Sequence, residues 1–247
     1  MIRRPLPDAP RPSRLAARPR GNQLLALLPS AARERLNPHL KTVSLKPKQM
    51  IFRAHIPLTV AYFLDTSVIS LLTHLKGGQT PEVGLVGRDG MASITVFPGV
   101  NTMPCDGVVL IAGTARQMNV DVLRQEVHQG GPLHDLLGRY AHLTLARSMQ
   151  MAACNSVHPV KQRCARWLLM THDLIDGSEF HLTQDILAMM LGVRRPSVTL
   201  VARALQRAGF IDYSRGRVKI LDRRGLEAAS CECYQLMREE QRRVLGY

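Results

Sequence analysis

Arg194, Arg195, Ser197, Thr199, Leu200 and Arg203 crowd one short stretch of the chain. Arginine carries a planar fork of donors, and serine and threonine hydroxyls both donate and accept. This set can bond base edges and phosphates of double-stranded DNA. Val198, Val201 and Leu205 interleave with it at helical spacing, so the polar residues share the opposite face of one helix. Pro196 is tolerated because it falls in the first turn, and Gly209 ends the helix. The plainer reading is a small packing unit with a solvated basic face.

An element must hold that helix in place. Ile186, Leu187, Met190 and Leu191 form the apolar face of a preceding short helix, and Ala188 is small enough to lie beneath the second. Thr183 caps its start and counts among the expected DNA contacts, and Asp185 suits the first-turn dipole. Gly192 supplies a sharp turn and Val193 plugs the joint. Beyond Gly209, Phe210–Tyr213 and Val218–Leu221 read as a hairpin around Ser214-Arg215-Gly216-Arg217. Its tip would lay Arg215 and Arg217 on a DNA backbone. The arrangement is a helix-turn-helix with a wing.

The 247 residues suit two domains. Net charge is +14, divided as +5 over residues 1–21, +4 over 22–154 and +5 over 155–247. So spread a charge favours association with nucleic acid without locating the site. No apolar run reaches the length of a membrane span, and five cysteines without dense spacing fit a reducing compartment. The expectation is a soluble cytoplasmic protein with no membrane partner.

Residues 1–21, rich in arginine and proline, read as a disordered basic tail. A short helical segment follows between Asn22 and Leu40. Short strands are expected at 42–45, 49–52, 61–64, 67–72, 82–86 and 108–112, and more weakly at 117–120. They make residues 22–131 a β-barrel or sandwich-like module. Residues 132–156 then read as one helix, about 35 Å long. Its seam of Leu133, Leu136, Leu137, Tyr140, Leu143 and Thr144, continued by Arg147, Met151 and Ala152, is either intramolecular core or a dimer contact. Dimerisation is the assignment carried forward. Pro159 marks a hinge, a helix runs from about Val160 to Ile175, and residues 157–247 form the DNA-reading unit. One last charged helix is expected from Asp222 to about Leu245.

With these residues in view, the order of elements over 22–228 resembles the Crp/Fnr family of bacterial transcription regulators. The closest matches are Tyr62-Phe63-Leu64 with Val68-Ile69-Ser70-Leu71, then Val86-Gly87-Arg88-Asp89-Gly90-Met91, Arg163 through Leu169, and above all Leu182 through Ala208. The resemblance implies an α+β chain: a jelly-roll-like sensor domain similar to cyclic-nucleotide-binding domains, a central dimerisation helix and a C-terminal winged helix-turn-helix. It also implies a homodimer on a two-fold operator. By the same resemblance Arg195, Pro196 and Leu200 face base edges, while Ser197 and Arg203 lie near phosphates. Pro196 and Leu200 depart from the family's usual glutamate and arginine, so the operator should differ from that of the cyclic-AMP receptor. RNA polymerase and an unknown small-molecule effector, or a redox signal at the β module, complete the implied partners.

Cyclic-nucleotide binders of that family use a Gly-Glu pair and a later Arg-Ser or Arg-Thr pair. Here Gly90-Met91 and Asn101 to Asp106 supply neither the glutamate nor the arginine, so tight cyclic-AMP binding is not expected. No cysteine precedes Cys105, against an N-terminal iron–sulfur cluster. Cys154, His158 and Cys164 gather near the hinge and could suit zinc, but read more simply as two cysteines on helix faces and a solvated histidine. Cys231-Glu232-Cys233 lacks a second pair and offers only a thiol switch. No metal and no cofactor is therefore assigned. No catalytic set emerges either: the Gly-x-Ser-x-Gly, Walker and His-Glu-x-x-His patterns are missing. The competing function is a winged helix that binds protein instead of DNA.

Overall fold

A computed structural model describes residues 21–247. The expectation of a basic tail at 1–21 lies outside the described residues, apart from Gly21. Two short helices, α1 (Gln23–Ala26) and α2 (Ser30–Leu36), lead into eight strands. These are β1 (Lys41–Leu45), β2 (Met50–Phe52), β3 (Val60–Leu64), β4 (Val68–Leu72), β5 (Glu82–Val86), β6 (Met91–Ala92), β7 (Asp106–Ile111) and β8 (Gly113–Asn119). They form two antiparallel four-stranded sheets, ordered β1-β8-β3-β6 and β2-β7-β4-β5. Phe63, Leu64, Met91, Met103, Ala115 and Met118 are buried in one core around these sheets.

The chain then turns helical: α3 (Val120–His128), α4 (Pro132–Val157) and α5 (Val160–Leu174). Asn119 caps α3, its side chain accepting from Asp121 N–H. The sequence reading missed α3 and placed its first residue in a strand. Leu123 and Val127, one helical turn apart, bury against the β-roll and hold the segment helical. The third sheet, β9 (Glu179–His181), β11 (Arg217–Ile220) and β10 (Ile211–Ser214), flanks α6 (Gln184–Leu191) and α7 (Arg195–Arg207). The expected single last helix is instead two, α8 (Arg223–Ala229) and α9 (Cys233–Leu245), broken around Cys231. The break lets α9 turn back along α4: His142 bonds Glu240 at 3.0 Å, and Arg147 bonds Gln241 at 2.7 Å.

The α4 seam expected to dimerise is intramolecular core. Leu133, Leu136, Leu137, Tyr140 and Leu143 are buried against the β-roll. Thr144 bonds the Tyr140 carbonyl, and Arg147 donates to Asp89 at 2.7 Å. Met151 is only partly buried. The apolar period is genuine, but this chain's own β-roll and α9 occupy that face. Leu145 (60 % exposed), Met149 (66 %), Ala152 and Ser156 form a second stripe on the opposite face of α4. No helix among the described residues is long and apolar enough to cross a membrane.

The DNA-reading unit is not a loosely tethered bead. Trp167 of α5 donates its indole N–H to Glu82 Oε1 at 2.7 Å, and Ser70 Oγ lies 2.7 Å from Glu82 Oε2 and 3.4 Å from Met190 Sδ. The guanidinium of Arg88, also buried, reaches the Leu174 carbonyl and Asp176. At Gly87 any Cβ would come within 2.9 Å of the Leu174 side chain, so this strand end approaches α5 only because it is glycine.

Candidate nucleic-acid interface

Helix α6 is held at both ends. The Thr183 hydroxyl accepts from Ile186 N–H at 3.3 Å, and Gly192 closes the helix at φ 62° in the left-handed region. Val193 N–H returns to the Ala188 carbonyl. Arg163 of α5 adds a cation at this C-terminus, bonding the Leu191 carbonyl at 3.0 Å. Its role was hidden in the sequence, although Arg163 lies in one of the family-like motifs.

Helix α7 buries Val198, Ala202 and Leu205 and turns Arg194, Arg195, Pro196, Leu200 and Arg203 outward. Leu200 is 68 % exposed, too much for a core position. No side chain caps the start of α7; Pro196 lacks an N–H and the Ser197 N–H bonds the Arg194 carbonyl at 3.0 Å, so this end offers an anion the positive dipole rather than a row of free N–H groups. Arg195 rests 3.4 Å from Asp185 with both side chains mostly exposed. Such a surface pair is worth about 1 kcal/mol at most, so it yields readily to a phosphate or guanine. Ser197 is partly buried.

Thr199 does something else. Its hydroxyl donates to Gln184 Oε1 at 2.7 Å and lies 3.2 Å from the Arg195 carbonyl. The residue expected to touch DNA also joins α7 to α6, and Gln184, unremarked in the sequence, is its partner. Thr183 likewise serves as a cap. The wing forms as expected, with Ser214 paired to Arg217 across Arg215 (φ 47°) and Gly216 (φ 75°). Leu182 N–H bonds the Gly216 carbonyl at 2.7 Å, tying the wing tip to the start of α6. Arg215 is exposed, and Arg217 is held 3.3 Å from Glu179. Arg194, Arg195, Leu200, Arg203, Arg215 and Arg217 are all exposed, on the helix face and on the wing.

A family model described as a Crp-like helix-turn-helix domain matches residues 162–229. This stretch includes α6, α7 and the wing. Together with the fold, it makes the chain a DNA-binding transcription regulator that carries a Crp-like helix-turn-helix domain. The fold of this regulator recurs in FixK2 from Bradyrhizobium japonicum, with a TM-score of 0.67 at 13% identity over 78% of this chain and 98% of that one. A CRP-family transcriptional regulator from Thermus thermophilus superposes with a TM-score of 0.64 at 16% identity, covering 76% of this chain and 96% of its own. The c-di-GMP responsive global regulator CLP of Xanthomonas campestris gives 0.59 at 17% identity, covering 78% and 99%. No curated protein sequence matches the chain.

The remaining cysteines divide by environment. Burial pushes the Cys164 thiol up to about 12 and, with the Asp106 charge, Cys105 to about 11. Neither is a reactive thiolate at neutral pH. Cys164 stands apart from the hinge histidine it was grouped with: Cys154 and His158 meet Cys231 and Cys233 instead.

Proposed function

We propose that the chain is a homodimeric, sequence-specific regulator that reads a two-fold operator with paired α7 helices. The observation that carries this reading is the outward face of α7: Arg194 and Arg195 at its uncapped N-terminus and Arg203 two turns further on, with a basic wing following. Arg195 is the base reader, and Arg194, Ser197, Arg203, Arg215 and Arg217 contact phosphates. Two copies related by a two-fold axis would set the reading helices about 34 Å apart, one turn of the duplex. The stripe of Leu145, Met149, Ala152 and Ser156, spaced four, three and four residues apart, forms the contact between copies. Burying these side chains removes the largest exposed apolar groups on α4 from water.

The β-roll interior supports a departure from cyclic-nucleotide sensing. Met91, at the position of the missing glutamate, is 1 % exposed and packs in the core with Met103 and Met118. The effector, if one acts here, is of another class, and RNA polymerase is the expected protein partner on DNA.

The test is selection of genomic fragments by purified ligand-free protein beside Arg195→Ala. The wild type should enrich a two-fold motif. The variant should lose about 1–3 kcal/mol of affinity and relax at one base position in each half-site. An Arg217→Ala variant should weaken all sequences alike and reduce the salt slope by about 1. Retention of full affinity and sequence preference by Arg195→Ala would reject this assignment and favour a winged helix that docks on protein.

A further inference from the structure

Three cysteines in the structure are buried together and belong to neither large core. Cys154 sits near the end of α4, and Cys231 and Cys233 flank the break between α8 and α9. His158, one turn beyond Cys154, adds an imidazole. The four possible ligand atoms all lie within 4.8 Å of one another. Cys154 Sγ is 3.5 Å from Cys231 Sγ, and Cys233 Sγ is 3.6 Å from His158 Nδ1. With Zn–S bonds of about 2.3 Å and Zn–N of about 2.0 Å, the edges of a tetrahedron are about 3.5–3.8 Å. The observed pairs have that edge length.

We propose that Cys154, His158, Cys231 and Cys233 form a mononuclear Cys3His zinc site that pins α9 to the end of α4.

The surroundings suit the ion. His158 Nε2 lies 3.2 Å from Glu232, so the carboxylate takes its N–H and leaves the Nδ1 lone pair facing the sulfurs. Gln150 donates to Cys233 Sγ at 3.0 Å. Three thiolates around a divalent cation leave one negative charge. The guanidinium of Arg166, itself 3 % exposed, supplies a compensating positive charge close enough to act on Cys154. All four protein positions are filled, which describes a structural zinc rather than a catalytic one with an open position. The three sulfurs converge too tightly for a multi-iron cluster, whose ligands must surround several metal atoms. The site also accounts for the helix break: a continuous helix through 222–245 could not bring both Cys231 and Cys233 to one point beside α4.

The test uses the full chain, purified anaerobically with its affinity tag removed. Elemental analysis should find about one zinc per chain. Exchange with Co(II) should give the intense visible bands of a tetrahedral thiolate site and a near-ultraviolet sulfur-to-cobalt transition. Cys231→Ser and Cys233→Ser should drop zinc to near none, while Cys105→Ser keeps it. His158→Ala should weaken retention against a chelator by tenfold or more. The wild-type cobalt spectrum decides even if a serine variant fails to fold. A chain that purifies without metal and gives no such spectrum overturns the proposal, as does stoichiometric iron or copper in place of zinc. A Cys154–Cys231 disulfide in the anaerobic protein would overturn it too.

Discussion

Replacing Leu145 and Met149 with glutamate is expected to convert the proposed dimer to a monomer and weaken operator binding by about 10²–10⁴-fold. The loss is large because a dimer engages its second half-site intramolecularly, whereas a monomer must bind each half-site afresh. Both residues are well exposed, at 60 % and 66 %, so the isolated chain should keep its fold. Four carboxylates facing one another across a two-fold axis would repel and would lose water without gaining partners. Sedimentation equilibrium should show half the wild-type mass, and anisotropy on the selected operator should show the affinity loss. An unchanged mass would remove α4 as the contact. Leu136→Glu makes a useful contrast. That side chain is 1 % exposed inside the β-roll core, so the substitution should unfold the protein instead of dividing a dimer.

Stability should fall as pH rises between about 5 and 8, and Glu82→Gln should remove most of that fall. Burial raises the Glu82 carboxyl from 4.5 to about 8, against the opposing influences of Ser70, Trp167 and the Arg166 charge. The folded state therefore holds a proton that the unfolded chain releases near pH 4.5. Stability from this group is fully present below that pH and is lost as pH climbs through the folded value. The full span amounts to several kcal/mol, on the order of 5. Denaturant midpoints at pH 5.5 and 8.5 for both proteins check it. Glutamine keeps an acceptor for Trp167 and sets an uncharged amide opposite Ser70 in place of the accepting Oε2, so it should gain on the wild type as pH rises. A wild-type dependence that persists in the glutamine variant would place the titration elsewhere. Because Glu82 joins β5 to α5, loosening should be greatest where sensor and reader meet.

The reading unit was legible because its signals are local. Gly192, the interleaved apolar residues of α6 and α7, and the Arg215-Gly216 turn each specify backbone within a few positions. Long-range facts were not legible in this way. Periodicity showed that Leu133 to Leu143 make an apolar face but not what covers it, and the weaker stripe at Leu145 and Met149 went unread. The α8–α9 break has no proline to announce it. Cys154 and Cys231 are separated by 77 positions, and only the return of α9 along α4 joins them. The second role of Thr199 was hidden for a related reason. A hydroxyl on an exposed-looking face serves a base or a neighbouring helix equally well, and only the fold brings Gln184 within its reach.

Val68 and Leu72 lie in a β-roll strand, yet they pack in the same hydrophobic cluster as Trp167, Leu187, Val198 and Leu205. This shared packing couples the reading unit to the β-roll strand across the boundary between the two cores. Heating should therefore give one calorimetric transition in which the calorimetric and van't Hoff enthalpies agree for each folded unit. Amides in β4 and in α7 should then share a common upper limit of exchange protection. In such a molecule a signal need not travel along a hinge. Anything that shifts the balance of one half is felt at once as a change in the folding equilibrium of the other.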